Sequence, residues 1–185
     1  MSMNTQCLAV FLLVTIPPLT FADDCQITLS RQVVDYHQMR YDSVVSSQQN
    51  WNKMPGKDIG VSVFCPEKQQ IATLVQGIAG QKGRFQFGSN GGIAIKVSNL
   101  TLDGKSYNVG KSTDRINFNP DIDNGSSIYI RNNEAIIAVE DDHVPSGQQL
   151  DFTVTIFPVL NDKAFTHLSD QTILESDLTW QLLTR

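Results

Sequence analysis

Few side chains in this sequence are of a type and spacing that could do chemistry. There are three histidines, His37, His143 and His167, and none lies in an H-E-x-x-H helix or beside a nucleophile motif. No G-x-S-x-G elbow or phosphate-cradling glycine loop occurs, so an enzyme is not expected. His143 follows Glu140-Asp141-Asp142, which are metal-donor types, but the run comes directly after an apolar stretch and reads as a solvated acidic turn. Asp121-Ile122-Asp123-Asn124-Gly125-Ser126 partly matches a calcium loop. Its glycine comes one position early and the closing glutamate is missing, so a tight turn at Asn124-Gly125 is expected instead. No metal or cofactor is called for. Trp51, near Tyr41, could offer a stacking platform to a sugar or apolar ligand, although such residues more often cover the end of a β-sandwich. Asn99-Leu100-Thr101 and Asn124-Gly125-Ser126 fit glycosylation sequons, relevant only under eukaryotic secretion.

The cysteines say more. Leu8 to Ile16 is a short apolar run, ended by Pro17-Pro18 and followed by Thr20-Phe21-Ala22, with small residues where a signal peptidase reads. It is shorter than the ~20 residues of a membrane span. No lysine or arginine precedes it, which is atypical, yet a cleaved signal over residues 1–22 and a single mature domain over 23–185 are expected. Cys7 then leaves with the signal. Cys25 and Cys65 remain as an even pair in an oxidising compartment, and a disulfide is favoured over two free thiols. They are too isolated to form a zinc site. The chain carries 14 Lys+Arg against 19 Asp+Glu, a net charge of −5, with no basic cluster; nucleic acid and anionic lipid are poor partners for it. No second long apolar stretch exists, so membrane insertion of the mature chain is not expected.

The elements that would position these residues read as strands. Cys25, Ile27 and Leu29 alternate with polar neighbours, as do Ile59, Val61, Val63 and Cys65. Both cysteines thus fall on apolar faces. If these two strands are antiparallel neighbours, the start of the first lies beside the end of the second, which brings Cys25 to Cys65. Further runs are 71–78, Phe85/Phe87, Ile93/Ile95/Val97, Tyr107/Val109, 128–130, 135–139, Leu150/Phe152/Val154/Ile156 and Leu178/Trp180/Leu182. Turn signals separate them at Pro55-Gly56, Gly91-Gly92, Asp103-Gly104, Asn124-Gly125 and Pro145-Ser146-Gly147. Residues 36–54 read as a loop or short helical turn. Many short strands without a 3.6-residue period predict an all-β sandwich.

The stretch from Cys25 to Tyr36 and the second strand ending in Cys65 resemble the opening of bacterial chaperone–usher fimbrial subunits. Val144-Pro145-Ser146-Gly147, the 150–158 strand and the closing Leu178-Thr-Trp-Gln-Leu182 resemble the end of such a domain. The resemblance implies an immunoglobulin-like sandwich lacking its final strand, with one disulfide. Its apolar groove would be lined by Leu178, Trp180 and Leu182, with Phe152 and Val154. A periplasmic chaperone would fill the groove first, and a neighbouring subunit's strand would replace it at the usher by β-strand addition. It further implies export through the periplasm to a cell-surface fimbrium, and an adhesive role with a receptor on a host surface. Only Asp23 and Asp24 separate the expected cleavage point from Cys25, too little for a donor strand, which implies either a compact tip protein binding through its own loops or a fimbrial-like subunit with an unusual assembly role. Thr184 departs from the family, which often has an aromatic residue there; this bears on how a chaperone docks. The rival reading is a self-contained lectin-like module of the periplasm or exterior.

Overall fold

A computed structural model describes residues 24–121, 124–165 and 174–185. The expected signal segment, the centre of the 121–126 loop and His167 lie outside them. Among the described residues there are thirteen strands: β1 (Gln26–Leu29), β2 (Ser46–Gln48), β3 (Trp51–Lys53), β4 (Lys57–Gly77), β5 (Phe85–Phe87), β6 (Gly91–Leu102), β7 (Lys105–Ser106), β8 (Asn108–Ser112), β9 (Asn124–Gly125), β10 (Ser127–Ile130), β11 (Ala135–Val139), β12 (Ser146–Asn161) and β13 (Leu178–Thr184). Single 3-10 turns lie at Tyr41–Ser43, Gln81–Gly83 and Asp162–Phe165. The result is an open all-β sandwich with one disulfide, Cys25–Cys65.

β4 organises the whole. Its first half pairs with β1 and β12, its second half with β13 and β11, so one 21-residue strand serves both layers. The expectation of two separate strands, 59–65 and 71–78, is therefore corrected. Pro66 and the polar residues after it look like a break. They fall instead at an irregularity where β12 shifts register between Gly147 and Gln149, a position that tolerates a residue lacking an N–H. Gln148 Nε2 donates to the Pro66 carbonyl at 2.6 Å, and Gln69 and Gln70 resume the ladder with Gly147 and Ser146.

The core lies between the layers. Val61 and Val63 of β4, Ile95 and Val97 of β6, Leu150 and Val154 of β12 and Ile136 of β11 are all at most 2% exposed. β11 is buried at every position because its other face is covered too. Phe118 rides on that outer face with Leu74, Ile137 and Val139. The loop carrying Phe118 is shaped by Asp114, whose carboxylate accepts from the amides of Ile116 and Asn117 at 2.9 and 3.0 Å; these bonds hold its pKa below the usual carboxylate value. Burial on both faces is why this strand reads as an unbroken apolar run.

Other turn assignments divide. Asp103-Gly104 is a tight turn with both residues at positive φ, as expected. Glu140 and His143 exchange backbone bonds of 3.0 and 2.9 Å around Asp141 and Asp142, both at positive φ, so the acidic run is a hairpin turn. Gly91-Gly92 is a correction: it begins β6. A Cβ on Gly91 would lie 2.6 Å from the Phe87 carbonyl oxygen, so glycine is needed there for close approach and not for a bend. Asn124-Gly125 is likewise a strand, paired with Gly110 and Val109. Pro145-Ser146-Gly147 is corrected as well: Ser146 and Gly147 already belong to β12, paired with Gln70 and Gln69. Residues 36–54 contain the expected helical turn at Tyr41–Ser43 and also a hairpin, β2–β3, whose polar composition hides it.

The segment between β1 and β2 is tied down by Tyr36, whose hydroxyl donates to the Ile156 carbonyl at 2.5 Å, and by Lys57 Nζ bonded to the Asp35 carbonyl. Burial raises the Tyr36 pKa to about 12, reinforced by the Asp58 charge and partly opposed by a bond from the Lys57 backbone. The neutral phenol is the form the fold prefers. Its stabilisation is complete below pH 10 and is lost as pH rises from 10 to about 12. Tyr36→Phe should lower stability at neutral pH by about 1 kcal/mol and flatten the decline above pH 10, measured by urea unfolding across that window; an unchanged alkaline decline would assign it to other groups.

Candidate assembly site: an open flank of two strands

β12 and β11 occupy one side of β4; β1 and β13 occupy the other. Gln70 shows this directly, since it pairs with Ser146 on one side and exchanges backbone bonds with Arg185 on the other, at 2.8 and 3.0 Å. Both β1 and β13 run antiparallel to β4. They lie end to end, with Arg185 beside Gln70 and Cys25 beside Cys65. The flank is thus one interrupted strand supplied by the two ends of the domain. Among the described residues, neither β1 nor β13 has a second strand partner. Their outer N–H and C=O groups form an edge available for pairing.

The side chains show the same incompleteness. Ile27 and Leu29 of β1 and Leu178, Trp180 and Leu182 of β13 point inward and pack against the main core, yet all five are only half-buried. Residues facing the same core from central strands are sealed: Leu150 and Val154 are 0% exposed. Alternation alone would give both sets the same burial; what β1 and β13 lack among the described residues is a second neighbouring strand. Trp180 stands at the centre, its ring centroid 6.5 Å from that of Phe152. Leu183 turns to the opposite face and joins the layer under Phe118.

The expected groove residues divide accordingly. Leu178, Trp180 and Leu182 sit together on the open flank. Phe152, 3% exposed, forms its floor through Trp180. Val154 lies fully within the core on β12. Ile27 and Leu29 complete the flank and were not singled out from the sequence as site residues. Their alternation was visible, but only the three-dimensional path of β4 places them in line with β13.

Other candidates lie elsewhere. His37 sits 3.0 Å from Asp35 at the surface, and His143 Nδ1 lies 2.6 Å from the Asp141 carbonyl. Among the described residues, no three of His, Cys, Asp or Glu come together as a metal site. Tyr41 packs edge-on to Phe165 at 5.4 Å, whereas Trp51 lies under the Arg84 guanidinium at 5.1 Å, so the two aromatics do not form a shared platform. Among the described residues no helix is long and apolar enough to cross a membrane.

No family model matches the chain, and no curated protein matches it. Among solved structures it is similar to the P pilus rod subunit PapA, at 12% identity and a TM-score of 0.43, over 87% of this chain and 99% of that one.

Proposed function

We propose that this protein is an exported fimbrial subunit that is completed by a strand from another protein at the β1/β13 flank and acts in adhesion at the cell surface. The observation that carries this reading is the half-burial of Ile27, Leu29, Leu178, Trp180 and Leu182 along an edge that has no second strand partner among the described residues. An incoming strand with alternating apolar residues would pair with the free backbone groups and bury those side chains together. In transit through the periplasm a chaperone would hold the edge; at the usher a neighbouring subunit would replace it. The proposal includes a place at the fibre tip, which suits a subunit whose own surface binds a ligand. Antibody labelling should then mark fibre ends and not shafts.

The test is expression with and without the cognate chaperone. Co-purification of a one-to-one complex, with little soluble protein when the chaperone is missing, is the expected result. A cooperatively unfolding, stable monomer obtained without any partner would support the self-contained module instead.

A further inference from the structure

Two hollows flank Trp51, and together they have the chemistry of one ligand. The first, about 400 Å³, is lined by Lys53, Lys82, Arg84 and Arg131 and by no acidic residue, although the chain as a whole carries −5. Among the described residues none of these four cations pairs with a carboxylate. They are held instead by neutral groups. Lys82 Nζ donates to Gln49 Oε1 at 3.2 Å, and Lys53 Nζ donates to the Tyr129 hydroxyl at 3.3 Å while lying 3.8 Å from the Phe157 ring centroid. The Arg131 side chain passes so close to Gly83, which has φ +75, that a Cβ there would lie 2.9 Å from Arg131 Cδ. Arg84 Nη1 is buried without a hydrogen-bond partner. Burial lowers the pKa of this guanidinium, an indication of how poorly its charge is solvated.

The second hollow, about 610 Å³, is of another kind. Its wall carries the amides of Gln81, Gln86, Asn90 and Asn161 together with Lys163; Gln86 Nε2 donates to the Gly88 carbonyl and Asn161 Oδ1 accepts from the Lys163 amide, leaving the other amide atoms to a ligand. Trp51 lines both hollows, and the Gln81–Gly83 turn runs from one into the other. Both volumes lie within the range of small-ligand sites, roughly 300–1,000 Å³.

We propose that this cleft binds an acidic oligosaccharide, with a carboxylated or sulfated ring held by Arg84, Lys82, Arg131 and Lys53, and a neutral ring read by the amides beyond Trp51. A planar anion matches a guanidinium fork, and Lys82 and Arg131 offer exposed cations beside it. The amide wall matches vicinal hydroxyls, which a simple anion or a phosphopeptide would leave unused. The Trp51 ring supplies an apolar face between the two. The site is separate from the β1/β13 flank and does not depend on how the chain assembles.

Titration of the folded full chain with sialyllactose, a sulfated disaccharide, lactose and sodium sulfate tests this. At least one acidic sugar should bind about tenfold or more tightly than lactose, and the better of the two identifies the acid. Lys82→Gln with Arg131→Gln, both exposed positions that leave the fold intact, should weaken the acidic sugar by about tenfold and leave lactose unchanged. Trp51→Ala should weaken both sugars. Three results would overturn the proposal: equal affinity for lactose, no effect of the double variant, or no saccharide binding in the millimolar range. Sulfate ion binding as tightly as the acidic sugars would show an adventitious ion only and overturn it as well.

Discussion

Replacing Cys25 and Cys65 together by alanine should lower the free energy of unfolding by about 4 kcal/mol. The bond closes a loop of sequence separation 40, and the chain-entropy relation for a loop of that length gives this value. It is a large share of the ~5–15 kcal/mol that holds a typical domain together. The local argument points the same way. β1 has four residues, pairs only with β4 among the described residues, and leaves Ile27 and Leu29 only half-buried. Such a strand has little to hold it besides the ladder Gln26–Phe64 to Leu29–Val61 and the bond at its start. Urea unfolding of the double variant should show the loss. Hydrogen exchange should show β1 opening before the sheet built on β12 and β6. Alanine is preferred to serine because Cys65 is fully buried, and a hydroxyl there would add its own cost. A loss below about 1 kcal/mol would mean that β1 is anchored without the bond.

The staple itself was legible because it depends on two short-range facts, the alternation around each cysteine and the antiparallel sense of neighbouring strands. β12 and β13 were legible for the same reason: each turns one apolar face to the core and a more polar face outward, and the period of two survives in the sequence. The flank was harder. Leu178, Trp180 and Leu182 announce themselves by spacing, but Ile27 and Leu29 join them only because β4 continues through Pro66 and carries both strands on one side. No local signal encodes that continuity, since residues 66–70 have the composition of a loop. The cleft beside Trp51 was legible only as a lone aromatic. Its cations come from β3, from the Gln81–Gly83 turn and its continuation, and from the residue just after β10, and they are separated in sequence by up to 78 positions, from Lys53 to Arg131. A cluster assembled from distant elements leaves no run of basic residues to find.

Appending to Arg185 a short glycine-containing turn and a strand with alternating apolar residues should raise the melting temperature by roughly 10 °C. The magnitude follows from what the strand would bury. Each inward apolar side chain contributes about 1.5–3 kcal/mol on full burial, and the half-exposed row on β1 and β13 gains as well. Ordering the added backbone opposes this at about 1–2 kcal/mol per residue, and the new ladder hydrogen bonds, about 0.5–1.5 kcal/mol each, offset much of that cost. A rise of roughly 10 °C corresponds to a net of about 3 kcal/mol, since a domain of this size gains about 2–4 °C for each kcal/mol. The same tail with serine at every inward position pairs its backbone equally well but fills nothing, and should leave the melting temperature within a few degrees of the parent. Trp180→Ala supplies the second arm of a double-mutant cycle. Removing the ring that leans on Phe152 should erase a large part of the apolar tail's effect and little of the serine tail's, so the coupling between ring and tail is measured apart from the cost of the substitution itself. Equal stabilisation by both tails would mean that the edge is completed by backbone pairing alone, and the apolar row along β13 would then have no role in selecting its partner.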